Sequence, residues 1–99
     1  VMMSAIAIAT FRCNPEGRSA LTDFLSGEEG LSVTRTYEGA IRVETLLSND
    51  SDDVILYEEW ESVEHHQAYV GWRVETGLAD FLSSNGIELE IAYLTPTDI

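Results

Sequence analysis

The chain has 99 residues, of which 44% are hydrophobic and 9% aromatic, so it carries enough apolar material to pack one domain. Eighteen acidic residues against five basic ones give a net charge of −13, and every basic residue is an arginine. Such a field repels phosphate backbones and anionic lipids, so we expect neither a nucleic-acid nor a membrane partner. The acidic residues are scattered along the chain, and we interpret them as a solvated surface suited to a salty or crowded setting.

The single cysteine, Cys13, cannot form an internal disulfide. The sequence also shows no secretory signal and no apolar run of about 18 residues. We therefore expect a cytoplasmic protein. Cys13 has no activating neighbour in the sequence and is interpreted as a small hydrophobic residue rather than a nucleophile.

The first half of the chain predicts a strand followed by a helix. From Met3 to Cys13 the pattern has the period of two that is typical of a strand. One face carries Ile6 and Ile8, and the other carries Ala5, Ala7, Ala9 and Phe11. Asn14 then caps a helix whose first position is Pro15. Its buried stripe consists of Leu21, Phe24 and Leu25. The helix loosens at Gly27 or Gly30, and residues 31–37 resume it before Gly39.

The second half predicts a hairpin, a helical region and a last strand. Residues 40–48 and 54–60 alternate as strands around the polar turn 49–53. Ser62 caps a helix that runs through Trp72 towards Gly77, and residues 78–84 form a further helical stretch. The last strand covers residues 87–94, before Pro96.

This element order predicts an α+β domain with the ferredoxin-like split βαβ plan, spanning residues 1–99. A four-stranded antiparallel sheet with its helices on one face leaves the other face bare. Ile6 and Ile8, or the row of Val43 and Leu47, are the side chains expected on that bare face. A second copy of the sheet would cover it, so we expect a homodimer.

The second predicted helix carries an unusual stripe of polar side chains. Helical spacing from Val63 places His66, Tyr69, Val70 and Arg73 along one face, which we expect to be buried with Val63 and Val70. His66, Tyr69 and Arg73 are therefore the candidate catalytic residues, lining a pocket between the helix and the sheet. The alternative is structural: His66 and Arg73 satisfy a carboxylate such as Glu58 in an internal network.

Six further residues are candidates for binding a ligand in the same pocket, and three of them have a stated structural alternative. They are Phe11, Phe24, Glu58, Trp60, His65 and Trp72. Glu58 suits a structural ion pair as well, Trp60 suits a core aromatic, and His65 suits the rim of the pocket.

The sequence lacks the ligand patterns of metals and common cofactors. His65 and His66 are adjacent on a helix and point about 100° apart, which is poor geometry for one ion. No glycine-rich phosphate loop and no nucleophile elbow is present. We expect no metal and no cofactor.

The segment Leu56-Tyr57-Glu58-Glu59-Trp60-Glu61-Ser62, with the helix that follows it, resembles the signature of the antibiotic-biosynthesis monooxygenase superfamily. That signature is an apolar strand ending in Glu-x-Trp, a short turn, and a helix with a histidine or aromatic residue about nine positions after the tryptophan. The resemblance implies a dimeric α+β barrel in which each subunit holds an apolar pocket.

Within that superfamily some members oxygenate aromatic polyketides or quinols without metal or flavin, and a few degrade haem. The haem-degrading members have an asparagine, a tryptophan and a histidine where this chain has Thr10, Tyr69 and Ala79, so haem chemistry is not expected.

Two functions remain open. The first is a cofactor-independent monooxygenase for an aromatic, quinol or enolisable substrate, with His66 as base and Tyr69 or Arg73 stabilising the anion. The second is a non-catalytic protein that binds an apolar or acyl-chain ligand in the same pocket, with the ligand's polar end near Arg73.

Overall fold

A computed structural model describes residues 4–99 and contains four strands and four helices. The strands are β1 (Ala5–Arg12), β2 (Ala40–Leu47), β3 (Val54–Trp60) and β4 (Glu88–Leu94). The helices are α1 (Pro15–Ser26), α2 (Leu31–Thr36), α3 (Val63–Glu75) and α4 (Leu78–Ser84). The predicted first strand began at Met3, which lies outside the described residues.

The four strands form one antiparallel sheet in the order β2-β3-β1-β4. This confirms the predicted ferredoxin-like α+β fold. Both predicted helix caps are present, because the Asn14 side chain accepts a hydrogen bond from the Gly17 amide and the Ser62 side chain accepts one from the His65 amide. The two caps start α1 and α3 at the points where the chain leaves β1 and β3.

The main core lies between the helices and one face of the sheet. It comprises Ala9, Phe11, Leu21, Leu25, Leu31, Val43, Val54, Leu56 and Ile87. Val43 was expected on the bare face as one alternative, and that expectation is wrong. Val43 pairs with Glu58, and Leu47 pairs with Val54. Paired residues share a face, and Glu58 and Val54 face the helices, so this row of β2 does too.

The opposite face of the sheet carries the other set of alternating side chains. Its apolar members are Ile6, Ile8, Leu46, Ile55, Tyr57 and Leu94. Leu46 is 49% exposed and Leu94 is 53% exposed. The second alternative for this face, Ile6 and Ile8, therefore agrees with the pairing register.

Among residues 4–99, no helix combines the length and the hydropathy that a membrane crossing requires.

Candidate active site

Helix α3 turns its polar stripe towards the sheet. Its buried residues are His66, Tyr69 and Arg73, which recur at the spacing of one helical face. Val63 and Val70, which we expected to be buried, are only half-buried, although Val70 packs against the cluster of Ala7, Trp60 and Tyr69. α3 therefore docks through its three buried polar residues together with Val70 and Trp72, and the polar side chains require partners inside the protein.

The guanidinium of Arg73 donates hydrogen bonds to uncharged oxygen atoms. Its Nε donates to Tyr69 Oη at 2.7 Å, and its Nη1 donates to the carbonyl of Glu29 at 2.9 Å. Its Nη2 donates to the carbonyl of Gly30 at 2.9 Å and to Thr34 Oγ1 at 3.0 Å. Thr34 Oγ1 and Tyr69 Oη are in turn 2.7 Å apart. The guanidinium is therefore held rigidly by groups from α2, α3 and the loop before α2.

The charge of Arg73 has no counter-ion in the described part of the chain, since no carboxylate oxygen there comes within 4.0 Å of it. Aromatic rings surround it instead: its central carbon lies 5.4 Å from the ring centre of Phe24, 5.3 Å from that of Tyr69 and 5.0 Å from that of Trp72. Arg73 is 8% exposed. A buried cation in this setting attracts an anionic group that can reach it.

Glu58 forms the second polar centre of the interior. Trp60 Nε1 donates to Glu58 Oε1 at 2.9 Å, and His66 Nε2 lies 3.7 Å from the same oxygen. Burial raises the pKa of Glu58 from 4.5 to about 7, although the bond from Trp60 and the charge of Arg73 both lower it. Burial lowers the pKa of His66 from 6.5 to about 4. His66 is therefore a neutral, weak base near pH 7, whereas Glu58 exchanges its proton there.

The structural alternative proposed from the sequence is only partly realised. His66 does approach Glu58, but Arg73 bonds to Tyr69, Thr34 and two backbone carbonyls instead of to the Glu58 carboxylate. Trp60 is fully buried and donates to Glu58 the hydrogen bond that we had expected from His66 or Arg73.

Two residues of this network were missed by the sequence analysis. Tyr93 Oη lies 2.8 Å from His66 Nδ1, and Thr34 bridges Arg73 and Tyr69. Alternation along β4 already placed Tyr93 on a face with Leu89 and Ile91, which was an available signal. No sequence signal marked Thr34, because Tyr69 and Arg73, which draw it into this network, lie more than thirty positions away.

Two adjoining spaces open beside these residues. The inner cavity, between the helices and the sheet, has a volume of about 40 Å³, and its polar lining is Glu58, His66, Tyr69 and Arg73. The outer cleft has a volume of about 430 Å³ and is lined by Phe24, Glu29, Trp72, Arg73, Thr76, Gly77, Leu78 and Phe81. Phe24, Arg73 and Leu78 border both spaces, so the two spaces adjoin at these residues.

The six ligand candidates are divided between these spaces and their surroundings. Phe11 and Glu58 line the inner cavity, Phe24 borders both spaces, and Trp72 lines the outer cleft. Trp60 lies behind Glu58 and contacts Tyr69 with ring centres 5.1 Å apart. His65 is not brought to either space: its Nδ1 is 2.7 Å from Ser62 Oγ, at the start of α3.

In residues 4–99, no three histidine, cysteine, aspartate or glutamate side chains are grouped so that they could hold a metal ion.

The pKa values of Glu58 and His66 are shifted in opposite directions, so we expect two pH dependences of the stability that offset each other in the parent protein. Folding raises the pKa of Glu58, so its contribution to stability falls as pH rises from 4.5 to about 7. Folding lowers the pKa of His66, so its contribution rises with pH from about 4 to 6.5. Between pH 4.5 and 6.5 the two slopes oppose each other and nearly cancel in the parent protein.

Single substitutions should expose each slope in urea unfolding measured across this pH range. From pH 4.5 to 6.5, the free energy of unfolding of Glu58→Gln should rise by about 3 kcal/mol relative to that of the parent, because only the His66 slope is left. Over the same range, that of His66→Gln should fall by about 3 kcal/mol relative to the parent, because only the Glu58 slope is left. The double variant is the control, because its difference from the parent should be nearly independent of pH. Parallel profiles for both single variants would show that neither group has a shifted pKa.

Solved structures of other proteins share this fold, and three of them are compared with this chain below. A monooxygenase from the gene ActVA-Orf6 of Streptomyces coelicolor, in complex with nanaomycin D, is 21% identical and has a TM-score of 0.78, over 99% of this chain and 91% of that one. SnoaB, a cofactor-independent oxygenase from Streptomyces nogalater, is 12% identical with a TM-score of 0.71, over 98% and 96%. Rv0793 from Mycobacterium tuberculosis is 22% identical with a TM-score of 0.72, over 97% of each chain.

The curated proteins contain no significant sequence match to this chain. The family model for antibiotic biosynthesis monooxygenase, in contrast, matches residues 4–72, which include β1, the Glu58 to Trp60 segment and most of α3. Because that match covers more than half of the sequence, and because solved structures described as monooxygenases share the whole fold, the chain belongs to the antibiotic biosynthesis monooxygenase family.

Proposed function

We propose that this protein is a cofactor-independent oxygenase that acts on an electron-rich aromatic or enolisable compound. The observation that carries the proposal is the guanidinium of Arg73, which is buried, lacks a carboxylate partner within residues 4–99, and borders both the inner cavity and the outer cleft. An enolate or phenolate bound against it would gain a buried counter-ion, which favours the reactive anion over the neutral substrate.

The outer cleft is the place where we expect the organic substrate to bind. Its volume of about 430 Å³ lies within the usual range for small-molecule sites, roughly 300–1,000 Å³. Phe24, Trp72 and Phe81 supply aromatic walls, and Arg73 supplies the charge. This combination suits a planar compound with one acidic oxygen.

The proposed reaction needs no metal or flavin. Glu58 as a carboxylate takes a proton from the substrate CH₂ group, which leaves a carbanion. The carbanion attacks O₂, which forms a C–O bond and a peroxide anion, and Glu58, now in its acid form, protonates that anion. Loss of water then breaks the O–O bond, so that overall a CH₂ group and O₂ become a carbonyl group and water. The pKa of Glu58, about 7, suits this proton transfer better than that of His66, about 4, which replaces our first assignment of His66 as the base.

Oxygen uptake with a panel of compounds tests the proposal. Anthrone and 1,4-dihydroxynaphthalene are suitable oxidisable probes, and a long-chain fatty acid is the non-oxidisable one. With chelator present and no added flavin, we expect oxygen consumption well above the spontaneous rate. The alternative is a binding protein for an apolar or acyl-chain ligand, and it would be supported if the fatty acid binds while no probe is oxidised. The names of the similar proteins, a monooxygenase and a cofactor-independent oxygenase, favour the first outcome.

We also propose that the protein is a homodimer formed through the helix-free face of the sheet. The apolar side chains there, with Ile8 and Tyr57 at the centre, pair across β1 and β3, and Leu46 and Leu94 on the outer strands of this face are about half exposed. Light scattering should report twice the chain mass of 11.0 kDa. The substitution Ile8→Asp should yield the monomer, because it buries a charge in the interface. Ser83→Asp, on the exposed side of α4, is the matched control and should remain dimeric.

A further inference from the structure

The inner cavity is too small for the organic substrate. Its volume of about 40 Å³ is far below that of ordinary small-molecule sites, roughly 300–1,000 Å³. It offers room for a molecule or two of water's size, each of which takes about 30 Å³ in the liquid. The organic substrate is accordingly assigned to the outer cleft, and the inner cavity needs a separate explanation.

The walls of this cavity favour an apolar occupant. Ten of its fourteen lining residues are apolar, among them Ala9, Leu56, Leu89 and Ile91. Of the eight side-chain nitrogen and oxygen atoms of its four polar residues, six already bond within residues 4–99, and Glu58 Oε2 and His66 Nε2 are the other two. Tyr69 Oη accepts from Arg73 and is shared with Thr34, while Glu58 Oε1 accepts from Trp60.

A buried water usually makes about three hydrogen bonds to otherwise unsatisfied groups, whereas apolar cavities stay dry and take up xenon or small apolar molecules. With most of its polar lining already engaged, this cavity resembles the second kind.

The position of the cavity connects it to the proposed reaction. Phe24, Arg73 and Leu78 line both the cavity and the outer cleft, so the two spaces adjoin at these three side chains. A small apolar molecule in the cavity and a substrate anion in the cleft therefore both lie beside Arg73. Charge that develops on that molecule during electron transfer would meet the same guanidinium.

We infer that the inner cavity is a binding site for dioxygen, separate from the site of the organic substrate. The identity of the gas rests on the proposed function, whereas the capacity to hold a small apolar molecule rests on the cavity alone. Dioxygen in the cavity accepts the electron pair of the substrate carbanion beside Arg73, where the cavity and the cleft adjoin, and the C–O bond forms there. The resulting peroxide anion takes the proton of Glu58, which also lines the cavity.

Xenon tests the site without any chemistry. Crystals of the protein under xenon pressure should show one xenon atom in the inner cavity of each chain, and ¹²⁹Xe NMR should show saturable binding in solution. Leu89→Phe places a larger side chain in the cavity and should abolish this binding. Leu47→Phe is the matched control, because Leu47 is 54% exposed and lies on β2 away from the cavity. An ordered water that xenon does not displace, or no xenon in the parent protein, would overturn the inference.

Steady-state kinetics separate this inference from the proposed function. With an oxidisable probe, Leu89→Phe should raise KM for O₂ about ten-fold while leaving the Kd of the organic probe unchanged. Leu47→Phe should change neither constant. If the protein binds xenon but oxidises no probe, the cavity is a site for small apolar molecules and the proposed oxygenase function is wrong. Oxidation with an unchanged KM for O₂ in a folded Leu89→Phe variant would retain the oxygenase and refute the dioxygen site.

Discussion

Replacing Arg73 with methionine should reduce the rate of oxygen uptake at least about 100-fold. The methionine fills similar space but removes the charge of Arg73, which lines both the cleft and the cavity. It also leaves the carbonyls of Glu29 and Gly30 without the donors that hold them, so the free energy of unfolding should fall by about 2 kcal/mol. Oxygen uptake and urea unfolding measure the two effects.

Lysine at the same position separates charge from shape. Arg73→Lys keeps the cation but cannot reach four acceptors at once, so it should lose stability while retaining part of the rate. Arg35→Met is the matched control, because Arg35 is exposed and donates to the carbonyl of Val43, away from both spaces. A methionine variant with the rate of the parent would show that the charge of Arg73 has no part in the reaction.

Replacing Gly30 with alanine should lower the free energy of unfolding by about 3 kcal/mol. A Cβ at this position would lie 2.2 Å from the carbonyl oxygen of Phe24 and 2.4 Å from that of Leu25. Both atoms belong to the backbone at the end of α1, so no side chain can rotate to relieve the overlap. Because the Gly30 carbonyl also accepts from Arg73, the variant should disturb the candidate active site as well.

Gly71→Ala is the control for this substitution and should have the opposite sign. Gly71 lies on the exposed side of α3, and a Cβ there would meet no atom within 4 Å. Alanine is the better helix former, so the variant should gain about 0.5–1 kcal/mol. Urea unfolding of the two variants beside the parent measures both changes. Equal stability of the two alanine variants would contradict the close approach of Gly30 to α1.

The local parts of this protein could be predicted from its sequence. Asn14 and Ser62 mark helix starts because their side chains satisfy amides only three positions away. The period of two along β1 and β3 identified the strands, and the element order then predicted the sheet. The helical period also grouped His66, Tyr69 and Arg73 on one face. All of these inferences depend on residues that are close in the chain.

Only the tertiary structure determined which hydrogen-bond partners His66, Tyr69 and Arg73 have and which cavity lies beside them. Arg73 bonds to carbonyls 43 and 44 positions away, and His66 bonds to Tyr93, 27 positions away. Such pairings depend on the packing angle between helix and sheet, which has no local signature. The face of Val43 depended in the same way on the pairing of β2 with β3. The separation of a small cavity from a larger cleft likewise depends on how closely side chains from α1, α3 and α4 meet, because volume is a property of packed surfaces and not of residue order.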